Sequence, residues 1–121
     1  MNKPVKEQIF SITNDEQFVD AALQLFRFQA ENCAVYKEFI ANLGVDPTRV
    51  KSIDHIPFLP ISFFKTLEVL SSTQPVEVTF TSSGTTGMTN SKHQVTDVSW
   101  YEESFRRAFE IFYGDIRDYC V

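Results

Sequence analysis

The apolar residues of this chain change their period along its length, and that change decides what it can fold into. From Phe18 to Leu43 they return close to every helical turn, at Phe18, Ala21, Ala22, Leu25, Phe28, Cys33, Val35, Tyr36, Phe39, Ile40 and Leu43. From Val76 to Phe80 they alternate, with Val76, Val78 and Phe80 set against Glu77 and Thr79, the pattern of a half-buried strand. Thr13 or Asn14 caps the helical stretch, with Glu16 or Gln17 completing a capping box, and Gly44 stops it. Unbroken, it runs roughly 30 residues and near 45 Å, so a break around Glu31 and Asn32 is expected. Its aromatic stripe, Phe18, Phe26, Phe28 and Phe39, reads as packing rather than as a ligand site.

Between the two patterns, Asp46-Pro47 opens a short helical turn through Val50, and Ile53 to Ile56 leads into a stretch punctuated by Pro57 and Pro60, which forbid a long helix there. A short helix from about Ile61 to Leu67 and a turn over Ser71 to Gln74 follow. After the strand, Lys92 to Thr96 returns as a second one. Ser99 and Glu102 form a capping box for a helix that runs through Tyr113 to Gly114, with Trp100, Phe105, Ala108, Phe109 and Phe112 on its buried face. Asp118-Tyr119-Cys120-Val121 looks like the opening of a further strand. The predicted fold class is α/β: a mainly helical lead-in over residues 1–75, then strand, loop, strand, helix and the start of a next strand over 76–121.

The loop between the strands carries the most specific chemistry. Thr81, Ser82, Ser83, Thr85 and Thr86 supply hydroxyls, and Gly84 and Gly87 let the backbone bend and bring its amides close to a ligand, the equipment of a phosphate-gripping loop. Two better-known phosphate loops are excluded. Gly87 is followed by Met88, Thr89 and Asn90 rather than by the Lys-Ser/Thr of a Walker loop, and the two glycines supply only one interval of a dinucleotide fingerprint.

Ser82-Ser83-Gly84-Thr85-Thr86-Gly87 resembles, without a gap, the signature of the adenylate-forming enzymes, which activate carboxylic acids with ATP. The upstream run Ile56-Pro57-Phe58-Leu59-Pro60-Ile61-Ser62-Phe63-Phe64-Lys65-Thr66 is similar to the segment before that loop in acyl-protein synthetases, the long-chain-fatty-acid luciferin-component ligases of bacterial bioluminescence. Phenylacetate-coenzyme A ligases resemble it as cousins. The resemblance implies an N-terminal piece of a large adenylation domain, incomplete as it stands, that uses ATP and Mg2+ in the intact enzyme. It implies a carboxylic acid substrate and an acyl acceptor, either a protein or coenzyme A. Residues 81–87 would hold the departing pyrophosphate, no residue here would be a nucleophile or general base, and the isolated chain would be inactive. Where family members place a Pro-Lys or Lys-Pro after the last glycine, this chain has Met88-Thr89-Asn90, so Lys92 is the nearest cation and His93 a weaker candidate. A non-catalytic module that binds a phosphorylated ligand or a protein is the other reading.

A net charge of -5, with no basic stripe, disfavours binding to nucleic acid or to anionic membrane. Arg106 and Arg107 read as partners of Glu102, Glu103 and Glu110 along one helix. Cys33 and Cys120 lie far apart in apolar surroundings, as reduced thiols of a cytoplasmic protein do, and neither they nor His55 and His93 show metal-ligand spacing. The N-terminus lacks the apolar run of a secretory signal, and no window is long and apolar enough for a membrane span. Twelve phenylalanines in 121 residues mark either a dense aromatic core or a surface for other protein to cover, with self-association as one consequence.

Overall fold

Asn14 starts the first long helix. Its side chain accepts the amide of Gln17, while Gln17 reaches back to accept the amide and hydroxyl of Thr13, a reciprocal arrangement that satisfies donors a helix start leaves open. A computed structural model describes residues 4–84 and 89–119. In it a short helix α1, Lys6–Phe10, which the apolar period did not announce, precedes α2, Asp15–Asn32.

The expected break falls at Cys33, whose extended backbone (φ -97°, ψ 107°) separates α2 from α3, Ala34–Asn42. The Asn32 side-chain amide donates to the carbonyl of Phe28, occupying an acceptor at the helix end. Gly44 ends α3 with φ +70°, and the amides of Gly44 and Val45 donate to the carbonyls of Ala41 and Ile40, the paired bonds of a Schellman stop. The helix pair then closes on itself. Leu23, Phe26 and Ala30 of α2 meet Cys33, Tyr36 and Ile40 and, from the following turn, Val50 in one buried cluster. The Phe26 and Tyr36 rings meet edge-on with centroids 6.1 Å apart.

Asp46 caps the turn Pro47–Arg49 by accepting from the Thr48 amide and hydroxyl. These two hydrogen bonds, side chain before backbone, hold its carboxyl below the usual carboxylate range. A second short turn, Ile53–His55, leads into the proline segment, which makes little regular structure of its own. Tyr36 fastens it, its hydroxyl donating to the carbonyl of Pro57 at 2.5 Å. The helix expected over Ile61–Leu67 is only one turn, α4, Phe63–Thr66, ending where Leu67 turns extended (φ -123°, ψ 152°). Phe63 packs edge-on against Phe39 of α3, with centroids 5.5 Å apart.

Strands β1, Val78–Thr81, and β2, Lys92–Val95, pair antiparallel in the register Val78↔Val95, Thr79↔Gln94, Phe80↔His93 and Thr81↔Lys92. The last helix, α5, Val98–Tyr113, is capped by Asp97 rather than by Ser99. The Asp97 carboxylate accepts from the Ser99 amide and hydroxyl, and Glu77 accepts the Val98 amide, so the acidic groups win the orphan donors two residues earlier than expected. Gly114 ends the helix with φ +81°. The helix packs on α1: Trp100 lies 6.3 Å from the Phe10 ring, Lys6 donates to Ser99 Oγ, and the Arg107 guanidinium sits 4.6 Å over Phe10 while pairing with Glu103 one turn away.

The buried face expected on α5 does not survive. No residue of α5 is buried, and Phe105 and Phe112 are 47% and 78% exposed. The helix meets α1 through its polar flank and Trp100, β1 through Tyr101, whose ring lies 4.7 Å from that of Phe80, and the C-terminal turn through Phe109 against Tyr119. Residues 116–118 form a single tight turn, Ile116–Asp118, capped by Asp115, after which Tyr119 is extended (φ -111°, ψ 136°); Cys120 and Val121, on which the expected strand opening mainly falls, lie outside the described residues.

Burial, and to a lesser degree Cys33, raises the Tyr36 hydroxyl to about 12 from its ordinary value near 10. The folded state therefore retains a proton that the unfolded chain releases. The associated stability is fully present below the unfolded pKa and is lost as pH rises through the window between these values. Urea titrations across that window are expected to show wild type losing more stability than Tyr36→Phe, which lacks the titrating hydroxyl and starts about 1 kcal/mol lower at neutral pH for the missing hydrogen bond.

Candidate functional site

The hairpin formed by β1 and β2 opens at Ser82, where the ladder ends on a reciprocal pair. The Ser82 amide donates to the carbonyl of Ser91 at 3.1 Å, and the Ser91 amide donates to Ser82 Oγ at 3.0 Å. Ser91 is itself buried, 5% exposed, and its hydroxyl lies 3.3 Å from His93 Nε2. His93 in turn stacks on Phe64 of α4, centroids 4.7 Å apart. The base of the loop is thus clamped by side chains, and the clamp reaches back through Phe64 toward the helical body.

Above this base the predicted site residues divide. Thr81, Ser83 and Gly84 are exposed at the mouth, with Ser82 beside them also exposed although its oxygen serves the Ser91 amide. That bond uses an acceptor lone pair of Ser82 and leaves its hydroxyl proton free to donate. Lys92 stands directly across the ladder from Thr81 and is exposed, so the structure brings this cation to the threshold of the loop. Cross-strand partners hold their Cβ atoms about 5 Å apart. Thr85, Thr86 and Gly87 lie outside the described residues. His93, the weaker candidate, has its ring committed to Phe64 and its Nε2 to Ser91, which makes it part of the base.

Sequence reasoning did not find Ser91, since an isolated serine in a polar run carries no periodic or motif signal. Nor did it find Lys65, which lies half-buried in α4 and, with Lys92, Gln94 and Glu68, borders a depression of about 170 Å³ beside the hairpin. Gln94 donates to Glu68 there at 3.2 Å. A larger apolar groove of about 320 Å³ lies on the other side of Phe64, between α2 and the proline segment. Among the described residues no group of three or more His, Cys, Asp or Glu is placed to hold a metal ion, and no helix is long and apolar enough to cross a membrane.

Chemically, exposed hydroxyls, a glycine and one cation at the mouth of a clamped hairpin form a donor set suited to anionic oxygens, with no carboxylate from either strand among them.

Comparison with known proteins extends over most of this arrangement. The family profile described as acyl-protein synthetase, LuxE, matches residues 6–102, which include α1 through the hairpin and the first turn of α5. Over 67 residues the chain is 37% identical to a long-chain-fatty-acid–luciferin-component ligase of Photorhabdus luminescens, a match covering 54% of this chain and 57% of that relative. No solved structure matches the chain.

The two adjacent serines separate by role. Ser82→Ala leaves the Ser91 amide without its acceptor in a half-buried setting and is expected to lower unfolding free energy by about 1–2 kcal/mol in urea titration. Ser83→Ala, which removes an exposed hydroxyl, should stay within about 0.5 kcal/mol of wild type.

Proposed function

The chain belongs to the acyl-protein synthetase family, and from that premise we propose that it is the N-terminal part of an ATP-dependent ligase that activates a long-chain carboxylic acid as its acyl-adenylate and passes the acyl group to a protein or thiol acceptor. The observation that carries the proposal is the placement of Lys92 opposite Thr81 at the mouth of a hydroxyl- and glycine-rich loop inside the matched region.

In the reaction, a carboxylate oxygen of the acid forms a bond to the α-phosphorus of ATP, and the bond to the departing pyrophosphate breaks. The acceptor then attacks the acyl carbon and AMP leaves. Negative charge grows on the pyrophosphate oxygens during the first step, and this chain's part is to meet that charge with donors already in position. The hydroxyls of Thr81, Ser82 and Ser83 and the amides around Gly84 supply hydrogen bonds, and Lys92 supplies a full positive charge. Thr85, Thr86 and Gly87 continue the donor string in sequence. Magnesium, when bound with the nucleotide, neutralises part of the triphosphate charge.

The clamp below the loop matters for the same reason. Donors that must reorganise during the reaction stabilise the transition state less than donors held ready, and the Ser82–Ser91 pair with the His93–Phe64 stack fixes both ends of the loop at its base.

Fatty-acid-dependent exchange of labelled pyrophosphate into ATP tests the proposal in the ligase that carries this segment. Lys92→Ala is expected to lower kcat/KM for ATP about tenfold, the loss of one charge-assisted contact to the leaving group. Unchanged ATP dependence removes Lys92 from the site, and a wild-type ligase with no acid-dependent exchange overturns the adenylation mechanism.

A further inference from the structure

The groove beside Phe64 is built differently from the hairpin mouth. Phe18 and Leu25 of α2 form one wall, and Ile53, Ile56 and Leu59 of the proline segment help form the other, enclosing about 320 Å³, at the lower end of the size of small-molecule sites (roughly 300–1,000 Å³). Phe18 and Phe58 remain 56% and 75% exposed at this lining, although each is a large aromatic ring. Polar groups are sparse within it. Gln29 and Ser71 border it, and the Tyr36 hydroxyl is already spent on Pro57. A peptide or a nucleotide buried here would strand its own hydrogen-bonding groups, whereas an alkyl chain has none to strand.

Phe64 is common to this groove and to the small depression lined by Lys65 and Lys92. In that depression Glu68 is the opposing charge, and it is engaged by the Gln94 amide, so two lysines against one glutamate leave the pocket net positive. Among the described residues no ion pair occupies either lysine. An apolar trough that ends beside an unneutralised positive pocket is complementary to a molecule with an aliphatic tail and an anionic head.

We propose that this groove receives the aliphatic chain of a long-chain carboxylic acid, with the carboxylate turned past Phe64 toward Lys65 and Lys92. The choice of a fatty acid over another amphipathic anion rests on the ligase reading above. The arrangement brings the head group to the same edge of the hairpin as the phosphate-holding loop, where Lys92 serves both sites, as the meeting of carboxylate and α-phosphate requires.

Binding of saturated fatty acids to this chain tests the proposal directly. Affinity is expected to rise roughly tenfold for each two methylenes added until the groove is full. A diazirine-bearing fatty acid, competed by tetradecanoate, is expected to label peptides containing Phe18 to Gln29 and Ile53 to Leu59. Lys65→Gln should weaken tetradecanoate at least about threefold and leave tetradecanol unchanged, since the alcohol has no charge to lose. Leu25→Trp, filling the trough, should remove binding of both while helical circular dichroism is retained; if that variant does not fold, the label map decides. Labelling on the exposed face of α5, no competable label at all, or equal loss of acid and alcohol in Lys65→Gln overturns the assignment. Groove labelling without pyrophosphate exchange in the ligase leaves this site standing and sinks the adenylation reading, and exchange without groove labelling does the reverse.

Discussion

The hydrogen bond from the Tyr36 hydroxyl to the Pro57 carbonyl, with Ile56 and Leu59 packed against the helical core beside it, fixes the proline segment on the α2–α3 pair. The α2–α3 pair is self-sufficient in local terms, with caps at its start and stop and a shared aromatic core. The proline segment is not, since Pro57 and Pro60 deny it both a helix ladder and a strand ladder. Pinned at Pro57, it delivers Phe63 to Phe39 and Phe64 to His93, so the position of the hairpin is set from the helical core through one buried hydroxyl and a row of rings.

At the far end of that row, the hairpin separates what is rigid from what is available. Side-chain bonding is concentrated at the base, where Ser82, Ser91 and His93 satisfy one another, while Thr81, Ser83, Gly84 and Lys92 face outward. This division suits a binding loop. Donors can be presented to an anion without further loss of conformational freedom when the backbone beneath them is already fixed.

The aromatic content divides in a similar way. Phe26, and in part Phe39, Phe63 and Phe64, serve the core and the link to the hairpin, whereas Phe105, Phe112 and Tyr113 of α5 are exposed. A stripe of Tyr101, Phe105, Phe109 and Phe112 at helical spacing has the pattern of a buried face. It is covered only in part, Tyr101 by Phe80 and Phe109 by Tyr119, while α5 meets α1 through Lys6, Trp100, Glu103 and Arg107.

Sequence alone determined those features whose causes are local. The Asn14 and Gly44 boundaries, the break beside Asn32 and the Asp46-Pro47 turn follow from cap chemistry, glycine at positive φ and proline, none of which needs a distant partner, whereas the first strand runs Val78–Thr81 instead of Val76–Phe80 and leaves Phe80 exposed, against the half-buried alternation read from the sequence. The ordered hydroxyl–glycine string was legible for the same reason, since a loop motif is contiguous. Tertiary structure decided the rest. Glu77 reached the Val98 amide only by arriving from the strand side, which flank of α5 met α1 was set by packing, and Ser91, Lys65 and the groove beside Phe64 found their surroundings only when segments distant in sequence were brought together. Caps and periods are written in neighbouring residues. Contacts between elements depend on how those elements pack, and no short window of residues contains that information.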